Sequence, residues 1–566
     1  MRGSSLCISI AVFLLMLAGC VAMPPRGAEA RYDLIIRNGI IYDGTGGPVR
    51  RVDVGVRGDR VALLGDLTKA EAVSEIDAGG LAVAPGFINV LSWANESLLV
   101  DGRGMSDIKQ GVTLEIFGEG ESGGPLTEPM KVEIRKQQRD YRYDIDWTSL
   151  GEYLESLERR GVSPNVASFV GATTVRVHEL GEGGRDPTAE ELARMQGLVR
   201  DAMREGALGV GSSLIYAPAF FAETPELVAL AQAAAEFGGG YVSHIRNESY
   251  GIGKALDELI TIARESGAHS EVYHLKAAGQ ANWGRMSDAI AKIEQARAAG
   301  LPISANMYTY TAAATGLDAA MPLWVQAGGL DAWVERLRDP ALRARVVADI
   351  RHPPAGEENM LRMAGSPDQV KFIGFKDERL KPLTGRTLAD VMALRGTSAE
   401  DTIIDLVVED HSRVDTVYFL MSEDNVRLGI EQPWVSFGSD AEALAPEGVF
   451  LKSSTHPRAY GNVARLLGKY VREERVLSLP EAVRRLTHLP ASNWKLKDRG
   501  CIDAGCYADV VVFDPATIRD NATFDDPRQY ATGVAHVLVN GVRVLEDGDH
   551  TGATPGRVVR GPGWAR

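Results

Sequence analysis

The chain has 566 residues, 45% of them hydrophobic and 24% charged, with 61 glycines. This is the composition of a globular protein able to bury a large core, and it excludes a disordered or fibrous one. A formal net charge of −15, with no basic stripe, argues against nucleic acid as a partner.

Residues 1–30 stand apart. After Arg2 comes the apolar run LCISIAVFLLMLAG, too short and too near the terminus for a lasting membrane span, so it reads as an export signal. Two processing sites compete. Leu17-Ala18-Gly19-Cys20 resembles a bacterial lipoprotein box in which Cys20 is acylated, and it is the favoured site; Ala28-Glu29-Ala30 suits ordinary signal cleavage. Both place the mature protein in the periplasm or bacterial envelope, the first with membrane attachment through a lipidated Cys20. Only Cys501 and Cys506 then remain. That compartment permits a disulfide, while two small buried or turn residues are at least as good a reading.

From Arg31 the stretch YDLIIRNGIIYDGTGGPVRRVDVGVRGDRVALLG alternates short apolar strands with Gly and Asp, which is hairpin chemistry. DRGCIDAGCYADVVVFD and VAHVLVNGVRVLEDG repeat that texture near the other end. One small β domain built from both termini is expected.

Between them the rhythm changes. Thr188-Ala189-Glu190-Glu191 is a capping box before LARMQGLVRDAMREG, and ALGVGSS then reads as a buried strand. Thr224-Pro225 is expected to cap and start the next helix, ELVALAQAAAEF. The strands YVSHI, EVYHLK and PISANMYTY follow, separated by helices. This alternation predicts βα units around a parallel sheet, and over more than 300 residues a closed barrel. Residues from about 320 to 432 look largely helical and polar and interrupt the alternation before WVSFGSD, so they read as an insertion or lid.

Barrel chemistry gathers at the carboxyl ends of strands. His244, His274 and Asp440 fall at such ends. Two imidazoles from adjacent strands suit zinc, and a facing carboxylate can take a proton from an activated water. A third ligand is sought in GVTLEIFGEGESGGP, where Glu119 lies nearer the strand end than Glu121 and ranks first.

The motifs GFINV, QGVT, GALGVGSSLIYAP, SHIRNES, YHLKAAGQANWG, YTYTAAATGL, GSD, HPRAYG and LTHLPASNWKLKDRGCIDAGCYADVVVFDP together resemble the D-aminoacylase (N-acyl-D-amino-acid deacylase) branch of the amidohydrolase superfamily, from about Tyr32 to Arg560. The resemblance implies an α/β protein: a (β/α)8 TIM-like barrel over residues 87–496, including the insertion, with a small β-sandwich domain from residues 31–86 and 497–556. It also implies hydrolysis of the amide of small N-acylated D-amino acids by a metal-activated water. His244 and His274 match the family's histidine ligands of a tightly held zinc, and Asp440 its catalytic aspartate. Lys276, Tyr216 and Tyr308 match positions that contact the substrate's carboxylate. The segment with His456, Arg458 and Tyr460 matches a signature near the active site, and Arg458 is counted with the substrate-binding candidates.

The departures are specific. In APGFINVLSWANES, Leu91 and Trp93 stand where the family has two first-strand histidines, and Asn89 stands for an aspartate. The family's metal-binding cysteine aligns with Gly120, between Glu119 and Glu121. The expected centre is therefore mononuclear: one divalent metal, Zn2+ as the first choice, on Glu119, His244 and His274, with Asp440 as base. It is expected on the far side of the barrel from Leu91 and Trp93, which would form an apolar wall. Two other readings accommodate the missing pair: a metal-free binding or scaffold protein of the envelope, and a peptidase or lactonase-type hydrolase on the same fold.

Overall fold

The computed structural model describes residues 31–565; the expected export signal, with Cys20, lies outside the described residues. Eight parallel strands form a barrel. In order they are Phe87–Asn89, Val112–Phe117, Asn165–Ser168 continued by Val170–Gly171, Gly209–Ser213, Gly240–His244, Ser270–Val272, Ile303–Met307 and Val435–Phe437. Each pairs in parallel with the next, and a bridge between Ser92 and Ala441 closes the first strand onto the eighth. The strands are buried along nearly their whole length, as expected of a parallel sheet covered by helices.

The helices follow from local sequence. Ala189–Arg204 opens with a complete capping box between Thr188 and Glu191 and buries Met195, Val199, Ala202 and Met203 on one side. Thr224–Ala235 differs from expectation: Glu223 is its N-cap, Thr224 is already helical, and the Thr224 hydroxyl donates to Glu258 at 2.8 Å. The neighbouring helix thus takes the hydroxyl that was expected to cap.

Strands from both termini form a β-sandwich. One sheet has the order Arg60–Gly65, Asp53–Arg57, Tyr32–Arg37, Ala72–Asp77. In the other, Ala82–Pro85 from the N-terminal part lies antiparallel to Val510–Phe513 from the C-terminal part. Ile36, Val54, Val83, Val510, Val512 and Leu538 fill the space between the sheets. Cys501 and Cys506 are joined by a disulfide, which selects between the two readings of that pair. Beyond the sandwich the tail returns to the barrel, where Val558 bridges to Val166 on the third strand.

Between the seventh and eighth barrel strands lies a second packed unit with its own core, including Leu317, Phe372, Ile404 and Tyr418. It carries the expected helices, among them Gly329–Arg338, Pro340–Arg351 and Ala399–Asp410. It also contains a small antiparallel sheet of Ala312–Gly316, Asp415–Phe419 and Val370–Gly374, which the sequence pattern did not indicate. Each strand has five residues, too few for a clear alternating pattern. Among the described residues no helix is long and apolar enough to cross a membrane.

Candidate metal centre and active site

The second strand delivers Glu119 through a turn of two glycines. Gly118 and Gly120 have φ of 109° and 74°, and a Cβ on Gly120 would meet Ser213 Cβ at 2.7 Å. Glycine on both sides lets the backbone press against the neighbouring strands and turn the Glu119 side chain inward. Glu119 is buried, whereas Glu121 is exposed.

His244 ends the fifth strand, and His274 lies two residues beyond the sixth. His274 and Asp440 are both in the left-handed region, with φ of 36° and 52°. Such strain in non-glycine residues persists where surrounding bonds over-determine it. The His274 amide donates to Asn306 Oδ1 at 2.8 Å, and the Asp440 amide donates to the Leu91 carbonyl at 2.8 Å.

Glu119 Oε1 lies 2.9 Å from His244 Nδ1 and 3.0 Å from His274 Nε2. The two rings meet edge to face, with centroids 4.4 Å apart. Burial alone would raise the Glu119 carboxyl, but the histidines outweigh it and hold it well below the usual carboxylate range. Burial likewise lowers His244, while Glu248 and Glu119 pull it up to about 9.

Glu248 was not singled out in the sequence, yet it sits against both rings. Its Oε1 is 3.1 Å from His274 Nδ1, and its Oε2 is 3.5 Å from His244 Nε2. Lys276 Nζ donates to Glu248 Oε1 at 2.6 Å and lies 2.8 Å from His274 Nδ1. Lys276, matched to a substrate carboxylate contact, is thus already neutralised by Glu248, and both are buried. The signal was present in SHIRNES, four residues after His244, but its direction is set by the loop rather than by strand periodicity.

The first strand contributes differently from expectation. Leu91 is buried with Ile88, Leu114 and Phe169 in the barrel core. Trp93 belongs to the centre instead of lying across the barrel from it. Its Nε1 donates to Glu119 Oε2 at 3.0 Å and to Asp440 Oδ1 at 3.1 Å. The physical reason is the polar edge of an otherwise apolar ring, which seeks an acceptor when partly buried. Asn89 bonds Glu115 and Ser439, tying the first strand to the chain just before Asp440.

Arg458 Nη1 is 2.8 Å from Asp440 Oδ2. Burial raises the Asp440 carboxyl above its ordinary value, opposed by Arg458. The Arg458 guanidinium also lies over the Tyr308 ring, 4.6 Å from its centre. His456 is a neutral support: burial drives its pKa well below normal, its Nε2 donates to the Ala312 carbonyl, and its Nδ1 accepts from the Arg458 amide. Tyr216 lies beside His244, with ring centroids 5.6 Å apart, and its hydroxyl bonds Thr315 of the inserted unit at 2.7 Å.

The Glu119, His244 and His274 ligand atoms lie within 4.8 Å of one another. One carboxylate and two imidazoles form a suitable donor set for a catalytic zinc with an open position. His244 turns Nδ1 toward Glu119 and Nε2 toward Glu248, so the ring nitrogen that faces the cluster is the one free to serve a metal. These residues fit one divalent metal. A cavity of about 780 Å³ is walled in part by Ser249, Asn282 and Arg362 and by none of the sequence-predicted site residues.

Residues 74–545 match the amidohydrolase family, and the chain belongs to it. It is 32% identical over 534 residues to the N-acyl-D-glutamate deacylase of Alcaligenes xylosoxydans xylosoxydans, covering 94% of this chain and 97% of that one. Among solved structures it resembles an N-acyl-D-glutamate deacylase from Bordetella bronchiseptica, complexed with zinc and a phosphonate mimic of the tetrahedral intermediate. That similarity has 31% identity and a TM-score of 0.77, over 94% of this chain and 100% of that one. It also resembles a D-aminoacylase whose binuclear metal centre is described by one-metal activation and second-metal attenuation, at 31% identity and a TM-score of 0.75, with the same two coverages. The expected (β/α)8 barrel with its β-sandwich is the family's fold and this chain's.

Proposed function

We propose that the protein hydrolyses the amide bond of N-acyl-D-amino acids with a single divalent metal held by Glu119, His244 and His274. The observation that carries this reading is the convergence of those three ligands with Asp440 at one end of the barrel. When bound there, zinc supplies Lewis acidity for the scissile carbonyl and the attacking water. Asp440 takes the water's proton at a carboxylate oxygen and returns it to the leaving amine. Its raised pKa suits a group that must be ionised to accept a proton and still give it up. Arg458, beside Asp440 and over Tyr308, is the cation that faces the substrate's carboxylate, with Tyr216 and Tyr308 beside it; Lys276, paired with Glu248 behind the histidines, supports the wall from within.

Export follows from the N-terminal segment, with Cys20 as the acylated residue. The Cys501–Cys506 disulfide suits an oxidising compartment.

A panel of N-acetyl D- and L-amino acids, run with and without chelator, tests the reaction. The expected result is release of the free D-amino acid, lost on chelation and restored by zinc. Hydrolysis of L-substrates alone, or turnover indifferent to chelation, would overturn the reading.

A further inference from the structure

Glu119 and Asp440 each use one oxygen on a positively charged or imidazole partner and aim the other at a common point. For Glu119, Oε1 faces the histidines and Oε2 faces Trp93; for Asp440, Oδ2 faces Arg458 and Oδ1 faces Trp93. Two carboxylate oxygens converging on one point ordinarily attract a cation. Here that point is occupied by the indole N–H of Trp93, 3.0 and 3.1 Å from them. We propose that Trp93 takes the place of a second cation: its N–H bridges the metal-binding glutamate to the catalytic aspartate, and its ring limits the centre to one metal.

Three observations favour this over simple packing. Trp93 donates to both acceptors at hydrogen-bond distance, and neither oxygen is the one its carboxylate presents to the histidines or Arg458. The neighbouring first-strand residues cannot assist a second metal, because Leu91 is buried in the apolar core and the Asn89 amide is used by Glu115 and Ser439. Finally, Glu119, His244 and His274 are the one group of three potential ligands found among the described residues. Trp93 is a positioning residue: it holds the outer oxygen of a ligand and the near oxygen of the base in fixed relation without touching the metal.

This inference rests on the one-metal reading above and predicts a contrast with the D-aminoacylase whose second metal attenuates it. The experiment is zinc titration of the full mature chain and of Trp93→Phe and Trp93→His, reading zinc per chain by elemental analysis and affinity by chelator competition. The wild type should bind one zinc per chain and keep its activity in excess zinc. Trp93→Phe, which keeps an aromatic ring and loses the donor, should still bind one zinc but about 10- to 100-fold more weakly, as when a group orienting a metal ligand is removed. Its kcat–pH profile should shift as the Asp440 oxygen loses its donor. Trp93→His, which offers a ring nitrogen beside the two free oxygens, should take up a second zinc. A wild type binding two zinc ions would overturn the inference and leave metal catalysis intact. A wild type binding none would overturn the one-metal reading and this inference together. Unchanged zinc affinity and pH profile in a folded Trp93→Phe would also overturn it, and the wild-type titration decides the one-metal limit even if that variant does not fold.

Discussion

The two sides of the barrel mouth solve the same problem with different chemistry. On one side, the fifth and sixth strands present His244 and His274, whose ring nitrogens face Glu119, while Glu248 and Lys276 form a second buried layer behind them. On the other side, the first strand presents Leu91, which packs into the core, and Trp93, which offers one N–H. The histidine side can hold a cation; the tryptophan side can only hold the carboxylates in position. A neutral N–H donor can thus bridge two carboxylates at a barrel mouth where the first strand brings no imidazole.

Variants on the two sides sharpen that contrast. The largest effect is expected on the histidine side: His274→Ala should abolish stoichiometric zinc and reduce turnover to background, as read by elemental analysis beside the deacylase assay. Asp440→Asn should keep the zinc and lower kcat by about 10²- to 10⁴-fold, the usual contribution of a positioned acid–base group. Retained turnover there would remove Asp440 from its role. Glu248→Ala leaves Lys276 buried without its carboxylate, and should destabilise the fold by about 3–5 kcal/mol, in the range for breaking a buried ion pair. Denaturant unfolding measures that loss, and a raised KM should accompany it. Leu91→Ala should have the smallest effect on chemistry. It should cost about 2–5 kcal/mol of stability through a core cavity while leaving zinc content unchanged. Loss of zinc in that variant would erase the distinction between a packing residue and a positioning residue on one strand.

Strand-end logic reached the residues whose direction a strand dictates. His244, His274, Asp440 and Glu119 could be placed because each lies at or just beyond a predicted strand, where a barrel turns side chains to its mouth. Glu248 was not legible, because it approaches the histidines through a loop whose path depends on the inserted unit; its own amide is held by Glu358 at 2.7 Å. Trp93 was misread for another reason. Hydropathy treats indole as apolar, and only the arrival of Glu119 and Asp440 from distant parts of the chain gives its N–H a function. Thr224 repeats this lesson on a small scale, since a hydroxyl suited to capping was claimed by a neighbouring helix.

The seam between the first and eighth strands carries a consequence for the order in which the molecule becomes competent. Glu119, His244 and His274 come from the second, fifth and sixth strands, while Trp93 and Asp440 meet only where Ser92 bridges Ala441 and Asn89 grips Ser439. Zinc uptake and zipping of the last seam are therefore expected to be separable events. During refolding, zinc should be captured before hydrolysis begins, and the interval between them would time the closure of the barrel.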